Sequence, residues 1–225
     1  MKLVGLLTFF LSTSAFAVVG QMNFKYIDAS RNRALNAFVW YPASAESKAM
    51  VTSPKGPFAP VVAAMNAPML KKSQKFPIVL LSHGSGGTAD KLFWLTDYLV
   101  QNGIAVVAVN HTGNMTGDNS GKGIIEVWDR PIDLKFVLDK VLAEPSLTNK
   151  LDTTRIAAVG HSAGGTTVLL LGGARFSYEK FQSPVPNCRG TKDPFFAEWC
   201  TQIASLNLKS YKKDIISGDY QDKRV

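Results

Sequence analysis

Three short, unbroken apolar runs constrain the fold of this chain more than any other feature: Pro77–Ser82 (PIVLLS), Ile104–Asn110 (IAVVAVN) and Arg155–Val159 (RIAAV). Rich in β-branched residues and lacking polar alternation, they read as strands buried on both faces of a parallel sheet; a sandwich would alternate. Leu35–Pro42 (LNAFVWYP) reads as a further strand. Helical patterns lie between them. Asp90–Gln101 carries Leu92, Leu95, Tyr98 and Leu99 on one face and stops at Asn102-Gly103. Pro131–Leu142 carries Leu134, Phe136, Val137, Leu138, Val141 and Leu142, with Pro131 in a first turn where its missing N–H costs nothing. Strand, helix and strand joined by short turns imply right-handed βαβ units and a doubly wound, mostly parallel α/β sheet.

Residues 1–17 stand apart from that pattern. Lys2 gives a positive start, Leu3–Leu11 is apolar, and Ala15-Phe16-Ala17 is a small-x-small cleavage signal. The apolar stretch is too short to span a bilayer, so it reads as a signal peptide, and 18–225 as the exported, periplasmic or extracellular domain. At 46% hydrophobic and 19% charged residues, the composition excludes a disordered tail, a collagen or a multi-span membrane protein. The formal net charge is +8, but the lysines and arginines are scattered rather than clustered. That pattern implies a solvated positive surface and no nucleic-acid partner.

The polar, Gly-rich stretch 112–128 and the mixed stretch 43–75 read as loops bordering a ligand site. In 174–215, Phe176, Tyr178, Phe181, Phe195, Phe196 and Trp199 follow no clear period, so this segment reads as an insertion over the sheet. It holds the chain's two cysteines, Cys188 and Cys200. An even pair in an exported chain favours a disulfide over two buried free thiols; without CxxC or paired histidines, no metal site is expected.

Gly160-His161-Ser162-Ala163-Gly164-Gly165 directly follows RIAAV and opens the apolar helical run Thr166–Leu171. GxSxG in strand-turn-helix context is a nucleophile elbow: Gly160 and Gly164 must lack bulk in a tight turn, and Ser162 is exposed at a helix N-terminus that favours negative charge. GHSAGG fits neither the dinucleotide GxGxxG nor the P-loop pattern, so no cofactor is implied. Ser82-His83-Gly84-Ser85-Gly86-Gly87 ends the strand PIVLLS and reads as the loop that lends a backbone N–H to an oxyanion hole, the second donor being Ala163. Gly84 and Gly86 let that backbone approach a substrate carbonyl, and His83 reads as a loop histidine bonded to backbone.

With these motifs in place, the chain from about Phe24 onward resembles secreted α/β-hydrolases grouped with dienelactone hydrolases and platelet-activating-factor acetylhydrolase-like enzymes. The resemblance rests on WYP (Trp40–Pro42), SHGSGG (Ser82–Gly87), VVAVNHTGN (Val106–Asn114), DRPIDLKFVLD (Asp129–Asp139) and RIAAVGHSAGG (Arg155–Gly165). It implies Ser162 as nucleophile and the N–H groups of Ala163 and Ser85 as oxyanion hole, acting on a small-molecule ester without a metal. In this fold the triad runs Ser, acid, His along the chain. Here His83, His111 and His161 all precede Ser162. His161 points away from Oγ around the elbow, and His111 borders the site without a base role in the family. The chain therefore reads as the N-terminal part of such a hydrolase, with acid and histidine beyond Val225 and an open sheet edge. The competing reading is a non-catalytic relic or binding module that keeps the pocket and has lost the base.

Overall fold

The computed structural model describes residues 18–53, 60–71, 73–182 and 194–225. The expected leader and Cys188 lie outside them. The strands are β1 (Val18–Asp28), β2 (Arg33–Ala43), β3 (Met50–Ser53), β4 (Val61–Met65), β5 (Phe76–Ser82), β6 (Ala105–Asn110), β7 (Asn114–Met115), β8 (Asp118–Asn119) and β9 (Leu151–Gly160). The helices are α1 (Phe93–Gln101), α2 (Gly121–Ile125), α3 (Asp129–Ala143), α4 (Ala163–Leu171), α5 (Tyr178–Phe181), α6 (Pro194–Ala204) and α7 (Lys213–Ile216). Seven strands form one sheet in the order β3-β4-β1-β2-β6-β5-β9. β5 runs parallel to both β6 and β9, whereas β2 pairs antiparallel with β1 and β6.

Strand β6 shows why an unbroken apolar run marks the centre of such a sheet. Val107 and Val109 pack with Leu134, Val137, Leu138 and Val141 of α3 on one face. Val106 and Ala108 pack with Phe93 and Val100 of α1 on the other. The two crossover helices thus cover opposite faces, as expected of a doubly wound sheet.

Two expectations are corrected. RIAAV is not buried on both faces: β9 is the last strand of the described sheet, so Arg155 and Ala157 are exposed and Ile156 and Val159 only half-buried. The stretch 43–75 contains β3 and β4 rather than loop alone. In 174–215, α5 and α7 are four-residue turns and α6 runs for eleven residues, and Phe176, Tyr178, Phe181 and Tyr211 gather around Trp128. Phe181 and Tyr211 meet Trp128 edge-on at 5.5 and 5.4 Å, with Ile216 and Tyr220 in the same cluster. Cys200 is buried and disulfide-bonded.

Candidate active site

The two Gly-rich motifs end neighbouring parallel strands, with Ser82 in register with Gly160. Both therefore emerge at the carboxyl edge of the sheet, where open α/β sheets place their ligands. Four described non-glycine residues have positive φ: Asn32, Asn66, Asn149 and Ser162. Asparagine tolerates that region. Serine does not readily, and Ser162 sits at φ 53°, ψ −117° immediately before α4, a strained conformation of the kind concentrated at functional sites. Its side chain is exposed and hydrogen-bonds to no group among the described residues.

The elbow glycines are fixed by close approach. A Cβ on Gly160 would lie 2.2 Å from the Gly164 carbonyl oxygen, and one on Gly164 would lie 2.0 Å from that of Ser82. At Gly165 the nearest atom would be 3.7 Å away, an ordinary contact. Gly164→Ala should therefore cost about 3 kcal/mol or more by forcing two backbones apart, whereas Gly165→Ala, inside a helix, should be neutral or slightly stabilising. Urea unfolding midpoints test the contrast; equal effects would contradict the packing.

The SHGSGG loop lies against the elbow. A Cβ on Gly84 would sit 3.0 Å from His161 Nδ1 and 3.5 Å from Ser162 Cβ, and Gly86 has φ +67°. The backbone N–H groups of Ser85 and Ala163 donate to no acceptor among the described residues, leaving both open to a ligand oxygen. His83 behaves as a backbone-bound loop histidine: its Nδ1–H donates to the Gly84 carbonyl at 2.7 Å, and its Nε2 accepts from the His111 N–H at 3.1 Å.

His111 does not border the site in the way its sequence position suggests. It is fully buried at the end of β6. Its Nδ1–H donates to Asp133 at 3.0 Å, and its Nε2 accepts from the Ser82 hydroxyl at 3.0 Å. Ser82–His111–Asp133 thus has the connectivity of a catalytic triad without its access, since all three are 0% exposed. Asp133 also receives Arg33 through two nitrogens, at 3.0 and 2.8 Å, and Arg31 at 2.8 Å. Burial pushes the Asp133 carboxyl up, but its hydrogen bond from His111 and those from Arg33 outweigh it and hold it at about 2.

Burial, and then the charge of Arg130, lowers His83 to about 4. The same two causes hold His111 well below the usual histidine range. Both rings are therefore neutral in the fold at pH 7 and take up protons on unfolding once the pH falls below about 6.5. The unfolded chain then binds more protons, so stability falls on acidification. For His83 the loss runs from the ordinary histidine value down to about 4 and amounts to roughly 3 kcal/mol. The urea midpoint should drop between pH 7 and 4.5, less steeply in His83→Gln; a flat profile would contradict the buried neutral pair.

The stretch 112–128 holds the β7–β8 hairpin and α2. A cavity of about 400 Å³ there is lined by charged side chains, Arg31, Arg33, Asp118, Lys122, Glu126 and Asp129 among them, and Ser162 is not in its wall. Sequence reasoning also missed Arg130, Asn114 and Thr167, which support the site from below.

A family model described as serine aminopeptidase, S33 (Hydrolase_4), matches residues 73–210. Two cutinases of Thermobifida alba, est1 and est2, are 27% and 26% identical over 107 residues, 47% of this chain and 33% of each cutinase. A ferulic acid esterase from Streptomyces cinnamoneus superposes with TM-score 0.56 at 25% identity, covering 68% of this chain and 54% of the esterase. The alignments thus span about a third of the curated relatives and about half of the solved structure.

Proposed function

The chain belongs to the Hydrolase_4 family (serine aminopeptidase, S33), and from that premise we propose that it is a serine esterase whose nucleophile is Ser162. The observation that carries the reading is the strained, exposed Ser162 at the head of α4, facing a glycine loop that leaves N–H groups unpaired. Oγ attacks the ester carbonyl carbon, the carbonyl oxygen takes the negative charge and is held by the N–H groups of Ser85 and Ala163, and the alcohol leaves. Water then releases the acid. Cutinases and a ferulic acid esterase among the similar proteins support an ester as the bond cleaved. The substrate class is a small carboxylic ester of the kind dienelactone hydrolase-like or acetylhydrolase-like enzymes take. The leader-like residues 1–17 and the disulfide-bonded Cys200 support export. Among the described residues no helix is long and apolar enough to cross a membrane.

The proton of Ser162 needs an acceptor, and the chain's histidines do not supply it. His83 and His111 are committed to the buried network, and the ring of His161 makes no hydrogen bond to Ser162. The proposal assigns the base and its orienting carboxylate to residues outside 1–225. That commitment of the histidines equally favours a second reading, a non-catalytic relic that binds esters without turning them over. Reading the gene past codon 225 separates them: an acid and then a histidine at the ends of later strands supports the esterase, and a stop codon there supports the relic.

A further inference from the structure

Arg130 is a guanidinium buried to 1% exposure, in a place where an apolar side chain would ordinarily be the stabler choice. Among the described residues it forms no ion pair. Its N–H groups go instead to four neutral oxygens on three segments, the end of β5, β7 and α4. Nε donates to Thr167 Oγ1 at 3.0 Å, and Nη1 to Asn114 Oδ1 at 2.7 Å. Nη2 donates to Ser82 Oγ at 3.2 Å and to the His83 carbonyl. Burial lowers its pKa to about 10, so it stays charged at neutral pH.

Two of those partners pass the contact on. Asn114 donates through Nδ2 to Ser85 Oγ at 2.8 Å. Thr167 donates to the Ala163 carbonyl at 3.0 Å. A single buried cation is thus one residue removed from each unpaired N–H donor, the one on the loop after β5 and the one at the head of α4. We infer that Arg130 is the positioning residue of the oxyanion hole, fixing the Ser85 loop and the Ala163 turn relative to each other. This rests on the reading of Ser85 and Ala163 as the oxyanion donors. Such a hole works only while its donors hold their separation to a few tenths of an ångström. Bonds to a charged donor hold buried neutral oxygens more tightly than neutral bonds do.

Hydrogen–deuterium exchange on the full chain tests it, comparing wild type with Arg130→Met, Arg130→Lys, Asn114→Ala and Thr167→Val. Peptides over 83–88 and 163–167 should exchange on the order of tenfold faster in Arg130→Met, with α1 and β2 unchanged. Asn114→Ala should loosen mainly 83–88 and Thr167→Val mainly 163–167; both keep the test open where Arg130→Met does not fold. Long-incubation fluorophosphonate labelling of Ser162 should slow about tenfold with the loosening, and Arg130→Lys should recover part of it. Faster exchange spread evenly over the sheet, or none at 83–88, overturns the clamp and leaves the donor assignment standing. Selective loosening with unchanged labelling overturns the donor assignment and, with it, the role given to Arg130.

Discussion

A fluorophosphonate probe should label Ser162 in a form of this protein that carries the proposed base and its orienting carboxylate, and Ser162→Ala should abolish labelling altogether. No other described serine combines exposure, the strained φ of 53° and a place at the head of a helix whose N–H groups face the attacked centre. The sharpest control is Ser82, among the described residues the one serine bonded to a histidine that is itself bonded to an aspartate. It is 0% exposed, and its oxygen also accepts from Arg130, so a substrate has no path to it. Ser82→Ala should still label at Ser162, more slowly because the loop behind the hole has lost a support. Mass spectrometry of the labelled peptide decides: equal labelling of Ser162→Ala, or adduct on Ser82, would sink the assignment.

The parts legible in the sequence were those set by chain-local physics. An apolar β-branched run with no polar interruption favours two-sided burial, and β6 shows it. GxSxG after a strand and before a helix leaves only a turn too tight for a Cβ, and Gly160 and Gly164 show that. What was not legible depends on neighbours. The burial of RIAAV failed because exposure of β9 is set by which strand lies beside it, not by its own residues. β1 carried its own signal, Met22, Phe24 and Tyr26 alternating with Asn23 and Lys25, the period-two pattern of a half-buried antiparallel strand. The support beneath the site was also partly visible. In DRPIDLKFVLDKV, Arg130 and Asp133 continue at helical spacing the stripe of Leu134, Val137, Leu138 and Val141. Charges in register with a buried face mark a network under the sheet's edge, although only the fold reveals that its partners are Ser82, His111, Asn114 and Thr167.

On the proposed placement of the base outside residues 1–225, the 225-residue chain itself should hydrolyse a p-nitrophenyl ester about 10⁴- to 10⁶-fold more slowly than a form that carries the base, because without it only oxyanion stabilisation and binding remain. That residue of activity should still favour the ester over an aminoacyl p-nitroanilide, since ester cleavage expels a better leaving group without an acid to protonate it. His111→Ala is the decisive variant. With Nδ1 held by Asp133 and Nε2 by Ser82, and no exposed surface, His111 has neither a free nitrogen nor a path to Ser162. Its removal should lower the urea midpoint, by taking out a buried partner of Asp133, while leaving the folded protein's residual rate per molecule within a few-fold of wild type. Turnover per folded molecule, counted by active-site titration, separates the two effects. Robust activity of the 225-residue chain that His111→Ala eliminates at unchanged folded fraction would make the buried trio catalytic, and would overturn both the assignment of the base outside this chain and the reading of Ser82–His111–Asp133 as support.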